Sequence, residues 1–305
     1  MITVNLRWFD EFNGYGIPKS VINQLTAAGK IADIKLPEDL RAQPQQAQAD
    51  QPTIGFLLGE DKAADGTECY SIGTSYVQSL IAAKADIKFL DYDNTAQQIK
   101  FCDGLVLPGG RFTNPESFYI DGKNLGEHEG KRFFAYQSVI RKAYLAKKPM
   151  LGICAGAQMI GAMLGNMKMY RNLEQDAPLS ITHRPKTENT GVFHQLKLIA
   201  NTPIFNILGL PHNEDTILIN SRHSQSMVHP NLQKYVKGKP KVKMDIYAIA
   251  ADDGVPEIWG NEQAGILCVQ GHPEDLAATG NNNMLNIYKH IVTLAARYKQ
   301  TRQGD

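Results

Sequence analysis

The stretch KKPMLGICAGAQMIGAMLGN, residues 147–166, decides how this chain is read. It is an apolar strand-like approach, a Gly152-Ile153-Cys154-Ala155-Gly156 turn, and a run with helical spacing. Glycines two residues either side of an apex permit a turn too tight for side chains, and the apex residue is forced into a strained conformation at the tip of a sheet. The Cys154 sulfur is thereby presented at the carboxyl ends of the strands. It faces the N-terminus of the following helix, whose partial positive charge favours thiolate over thiol. Cys154 is the candidate nucleophile.

Outward from this turn, the flanking sequence predicts an α/β fold. Strands are expected at 53–59, 87–92, 104–110 and 149–154, alternating with helices at 75–85, 131–147 and 157–164. Short apolar strands alternating with amphipathic helices imply a mostly parallel central sheet with helices on both faces. Beyond residue 190 the pattern changes to shorter strands at 194–200, 216–223, 245–251, 256–260 and 265–271. A closing helix spans 283–299, with apolar positions on one face.

Upstream, residues 1–40 contain a strand-like piece (Ile2 to Trp8) and a helical one (Pro18 to Ala28). AQPQQAQADQP, residues 42–52, reads as a linker. The expected organisation is therefore an N-terminal extension and linker over 1–50 and the main α/β domain over 51–305.

Composition narrows the function. A length of 305 residues with 43% hydrophobic content supports a substantial core, and a formal net charge of +1 gives no electrostatic reason to expect nucleic acid or an anionic membrane surface. The four cysteines, Cys69, Cys102, Cys154 and Cys268, form no C-x-x-C pair, so no zinc ribbon or disulfide framework is expected. No apolar run approaches the roughly 18 residues of a membrane span, and Arg7, Asp10 and Glu11 interrupt any secretory core. A cytoplasmic protein is expected. His223 and His229 lack partners at metal spacing and the other histidines (128, 183, 194, 212 and 290) suggest no cluster, so no metal and no cofactor are expected.

Two further motifs complete a chemistry. The strand GILCVQG runs out into His272-Pro273-Glu274; the proline biases His272 toward extended backbone, where residues two apart point the same way. Glu274 can then hold the His272 ring in one tautomer while His272 takes the thiol proton and returns it to the leaving group. GLVLPGGRF, residues 104–112, can turn backbone N–H groups into the same cleft, and with the amide of Ala155 these could hold the oxyanion of a tetrahedral intermediate.

LPGG, GICAGAQ and QGHPE, in this order, resemble the class I glutamine amidotransferase superfamily. INSRHSQSM, ADDGVPEIWG and the Pro115 to Tyr119 stretch are similar to the stand-alone γ-glutamyl hydrolases of peptidase family C26, particularly the γ-glutamyl-γ-aminobutyrate hydrolases. The resemblance covers roughly residues 52–298. It departs at Ser224, where the family has a second histidine, and at Gly271, where the family commonly carries tryptophan.

The resemblance implies a flavodoxin-like fold, with Cys154 as nucleophile, His272 as general acid and base and Glu274 as its orienter. Gly110 and Ala155 would supply oxyanion amides, and Gly109, Arg111, Gln158, Ser221 and His223 would meet a small γ-glutamyl substrate. The expected reaction is hydrolysis of a γ-glutamyl amide through a thioester. The rival readings are a glutaminase subunit serving a separate synthetase partner, and a non-catalytic binding or regulatory protein on the same scaffold. A homodimer is a further expected form of association.

Overall fold

The computed structural model describes residues 1–40, 51–110, 114–121, 130–177, 181–184, 191–229 and 239–303. Its centre is a nine-stranded sheet in the spatial order 216–221, 192–198, 245–250, 256–261, 266–269, 150–153, 104–107, 53–57, 86–90. The last five of these run parallel to one another, and the first four extend the sheet antiparallel from Ile266–Val269. The fold is α/β, as expected, with a mixed sheet. The parallel strands are the ones separated by helices, because a parallel return needs a long crossover. In the second half the connections 251–255 and 262–265 are too short for a crossover and leave antiparallel neighbours.

Three of the parallel strands are apolar throughout: all four residues of Gly104–Leu107, of Met150–Ile153 and of Ile266–Val269 are buried. Helices cover them. Lys131–Leu145 buries Phe133, Tyr136, Val139, Ile140 and Ala143, and Asn282–Gln303 buries Met284, Ile287, Tyr288, Ile291 and Ala295 at the spacing of one helix face.

The segment before the 42–52 stretch packs into the same core. Leu6, Ile17, Ile22, Ile34 and Leu36 belong to the main hydrophobic cluster. Ile2–Asn5 pairs parallel with Ala32–Lys35. Arg7–Phe9 and Gly14–Pro18 join a four-stranded sheet with a hairpin of Gly59–Lys62 and Glu68–Gly73. That hairpin is absent from the sequence reading, since GEDKAADGTECYSIG lacks clean alternation. It matters because it borders the cleft described next. Residues 41–50 lie outside the described residues.

Candidate active site

Met150–Ile153 ends at Cys154, which adopts φ +50° and ψ −113°, and Ala155–Gly165 begins immediately after it. Positive φ in a residue with a side chain is strained, and such strain persists only where surroundings over-determine it. Here the Cys154 N–H is fixed by Val269 O at 2.8 Å, and the Cys154 carbonyl accepts from Gln158 N at 3.0 Å. The flanking glycines are required by close approach. A Cβ on Gly152 would sit 2.8 Å from the Ala157 backbone, and one on Gly156 would overlap the Leu107 carbonyl oxygen of the neighbouring strand. Cys154 itself is only partly buried, unlike the other three cysteines.

The neighbouring strand, Ile266–Val269, delivers His272. The chain does not stay extended after Pro273: a short helix, Pro273–Ala278, starts there, with His272 as its N-cap and the proline at the first helical position. The shared side of the two groups therefore comes from a strand-to-helix junction, which corrects the extended reading. His272 Nδ1 lies 2.6 Å from Glu274 Oε1, and the other ring nitrogen is left for the Cys154 thiol, which interacts with the ring. Burial disfavours the charged ring, but the Glu274 carboxylate and the Cys154 contact outweigh it and hold the His272 pKa well above its ordinary value.

The junction is braced from two sides. Ser79 Oγ donates to the Glu274 carbonyl at 3.3 Å, while Asp275 accepts from Ser75 Oγ at 2.9 Å, from Asn220 Nδ2 at 3.0 Å and from Arg222. His272 N–H donates to Asn220 O at 3.2 Å. Gly271 is squeezed in that packing: a Cβ there would stand 2.6 Å from Ile219 Cδ1 and 2.7 Å from Asn220 O. This chain therefore has no room for the tryptophan of the resembling family.

The Pro-Gly-Gly turn closes the third side. A Cβ on Gly109 would lie 3.0 Å from Cys154 Cβ and 3.2 Å from His272 Cε1, so the turn rests against both. Arg132 Nη2 donates to the Gly109 carbonyl at 2.7 Å. In a trans peptide that fixes the Gly110 N–H on the opposite side of the bond. Gly110 has φ +138°, and its Cα face is covered by the Arg132 guanidinium. Tyr136 Oη donates to the Pro108 carbonyl at 2.6 Å, and the Gly109 N–H donates to Tyr76 Oη at 3.3 Å. Arg132 and Tyr76 are absent from the sequence reading because neither sits in a motif; each is placed by a helix remote in sequence from Cys154.

A cleft of about 440 Å³ opens beside Gly109 and Gly110, with Glu60, Asp61, Tyr76 and Arg132 among its lining residues. The acidic pair comes from the hairpin at 59–73, and Glu60 is paired with Lys19 of the N-terminal segment.

The remaining expected residues divide. Ala155 follows Cys154 at the start of its helix. Gln158 is buried and directs Nε2 to Gln225 O at 2.9 Å and to Gln270 Oε1 at 3.2 Å. The substrate-facing roles expected of Ser221 and His223 are corrected by their packing. Ser221 is fully buried with Oγ donating to His183 O at 2.6 Å, and the buried His223 ring lies between Gln225 O and Glu257. Arg111 lies outside the described residues.

The histidines also need correction. His183, His194 and His223, read from sequence as unclustered, are gathered around Glu257, all four buried. No spacing rule could reveal this, because each comes from a different segment and only the sheet order brings them together.

Known proteins bear on this arrangement. The sequence matches the peptidase C26 family over residues 58–274, more than half of the chain. It is 27% identical over 188 residues to the glutamine amidotransferase-like protein YvdE of Lactococcus lactis, covering 60% of this chain and 70% of that one. It is 25% identical over 271 residues to the glutamine amidotransferase-like protein RP404 of Rickettsia prowazekii, covering 75% of this chain and 90% of that one. The crystal structure of a Thermoplasma acidophilum protein described as part of a GMP synthase superposes with a TM-score of 0.52 at 18% identity, covering 83% of this chain and 98% of that one, which speaks to the fold alone. No helix among the described residues is long and apolar enough to cross a membrane. The match over 58–274 spans the elbow, the Pro-Gly-Gly turn and the His-Pro-Glu junction together, and on it the chain belongs to the peptidase C26 family of glutamine amidotransferase-like proteins.

Proposed function

We propose that this protein hydrolyses γ-glutamyl amides through a thioester on Cys154. The observation that carries the reading is the contact of Cys154 with a His272 ring whose far nitrogen is held by Glu274 at 2.6 Å, next to a cleft large enough for a small substrate. The steps follow from the groups. His272 takes the thiol proton, and the Cys154 sulfur attacks the γ-carbonyl carbon. The resulting oxyanion is met by the N–H groups of Gly110 and Ala155. Collapse breaks the C–N bond, and His272 returns the proton to the departing amine. Water then attacks the γ-glutamyl thioester with His272 again as base, releasing glutamate and restoring the thiol.

Gly109 and Gly110 form the near wall of the substrate site. The Arg132 guanidinium lies against that wall, and the Glu60 and Asp61 carboxylates line the same cleft, suiting it to a zwitterionic amino-acid head group. The test is a panel of γ-glutamyl amines and glutamine with the purified protein. Turnover of γ-glutamyl amines that disappears in Cys154→Ala is the expected result. Glutamine hydrolysis that stays negligible until a second polypeptide is added would favour a glutaminase subunit instead, and absence of any turnover would favour a binding protein.

A further inference from the structure

Behind the loop that carries Gln225, three imidazoles close on one carboxylate. Glu257 Oε1 lies 3.2 Å from His183 Nδ1, 3.2 Å from His223 Nε2 and 3.7 Å from His194 Nε2. The four ligand atoms all fall within 4.8 Å of one another. Ligands held at roughly 2.0–2.1 Å by a tetrahedral zinc ion stand about 3.3 Å apart; the carboxylate–imidazole distances of 3.2, 3.2 and 3.7 Å are close to that edge, and the wider pairs, up to 4.8 Å, would draw in around an ion. We propose that His183, His194, His223 and Glu257 bind one divalent transition-metal ion, zinc by donor type, as a structural site that fixes the loop carrying Gln225.

The outer hydrogen bonds argue for it independently. His183 turns its other nitrogen, Nε2, to Asp253 Oδ2 at 3.0 Å, and His223 turns Nδ1 to Gln225 O at 3.1 Å. Both partners are acceptors, so each outer nitrogen carries the proton. In a neutral ring the inner nitrogen then aims a lone pair at the Glu257 oxygen, which is itself an acceptor, and a second proton on His183 relieves only one of the two contacts. Such facing acceptors repel unless a cation stands between them. Metal-bound histidines commonly donate their second N–H to a carboxylate or backbone carbonyl in this way.

Protons alone do not satisfy the cluster as well. They would require His183 and His223 both to be doubly protonated, and His194 Nε2 and Glu257 Oε2 would still have no hydrogen-bond partner among the described residues. The side chains of all four are at most 3% exposed, so bulk solvent does not reach them. One dication with three neutral rings and the Glu257 and Asp253 carboxylates balances the charge.

Three nitrogens and a carboxylate fill a tetrahedron and leave no open position, which marks a structural rather than a hydrolytic metal. The four ligands tie together four segments. Glu257 lies on Pro256–Asn261, His194 on Val192–Leu198, His223 just beyond Thr216–Ser221, and His183 in the 181–184 turn. The link to the elbow helix is short: Gln225 O, in contact with His223 Nδ1, also accepts from Gln158 Nε2 at 2.9 Å, one turn along the helix that starts after Cys154. The inference stands apart from the proposed hydrolysis, since it requires nothing of Cys154.

The test is metal analysis of the full-length protein, followed by stripping with a chelator and titration with Zn²⁺ or Co²⁺ alone. About one zinc per chain is expected, with Co²⁺ giving the strong visible absorption of tetrahedral nitrogen–oxygen coordination and Zn²⁺ raising the melting temperature of the stripped protein. Asp253→Asn should weaken Zn²⁺ binding about 10–100-fold through the outer hydrogen bond. His194→Gln, checked for native circular dichroism, should weaken it further, whereas Cys154→Ala should leave it unchanged. Stripped parent protein that takes up no Zn²⁺ or Co²⁺ would overturn the site, as would binding lost in Cys154→Ala and retained in His194→Gln.

Discussion

His272 and Glu274 are joined by a hydrogen bond of 2.6 Å across the point where a strand end becomes a helix. The arrangement places a buried carboxylate behind the ring and leaves the opposite nitrogen for the Cys154 thiol. Because Glu274 sits in the first turn of a helix braced by Ser79 and the Asp275 contacts, the ring has one orientation.

Removing the Glu274 charge should therefore be felt at His272. A group whose folded-state pKa is raised contributes stability below its unfolded value near 6.5, and that contribution is lost as pH rises through the folded-state pKa. In Glu274→Gln the raising influence is gone while burial remains. The His272 ring, followed by NMR titration, should release its proton at lower pH, and the alkaline loss of stability should shrink. Turnover should fall by about 10²–10⁴-fold. A titration curve identical to that of the parent would refute this role.

The elbow depends on the absence of one methyl group. Gly156→Ala forces a carbon into the Leu107 carbonyl, and the cost should be about 1–3 kcal/mol or more. Chemical denaturation should give a lower midpoint with an unchanged slope. Stability equal to that of the parent would mean the helix approaches the strand less closely than described.

Gly271 offers a second steric test, specific to this chain. Gly271→Ala should lower stability by about 1–3 kcal/mol, because Asn220 O is backbone and cannot swing away. It should also slow turnover by shifting His272, which bonds the same Asn220 carbonyl. A fully active and equally stable Gly271→Trp protein would be the contrary outcome.

Much of this was legible in sequence. All nine strands of the main sheet fall on stretches read as strands from sequence, most of them short and largely apolar, and the elbow is visible because glycine spacing reports backbone strain directly. What was hidden is what depends on topology. The hairpin at 59–73 has a weak pattern because its strands mix polar and apolar residues without alternation. Arg132 and Tyr76 lie on helices whose sequence signal is their apolar face, so their polar contacts with Gly109 have no signature. His183, His194, His223 and Glu257 converge only because Val192–Leu198 pairs with both Thr216–Ser221 and Asp245–Ala250.

Arg132 should act as a positioning residue for the Gly110 amide. In Arg132→Gln the fork that holds the Gly109 carbonyl is lost, and kcat should fall by roughly 10–10³-fold, as when an oxyanion donor is misplaced. KM for γ-glutamyl amides should change less than kcat if the residue orients the turn. A defect confined to KM would instead assign Arg132 to substrate binding.

The central claim is that the Cys154 sulfur carries the γ-glutamyl group during turnover. Rapid acid quenching with a γ-glutamyl amide, followed by mass spectrometry of the digested protein, measures this directly. The account predicts a glutamyl adduct on the peptide containing Cys154 and none in Cys154→Ala; substrate turned over at the parent rate by Cys154→Ala, with no adduct on any cysteine, would contradict it.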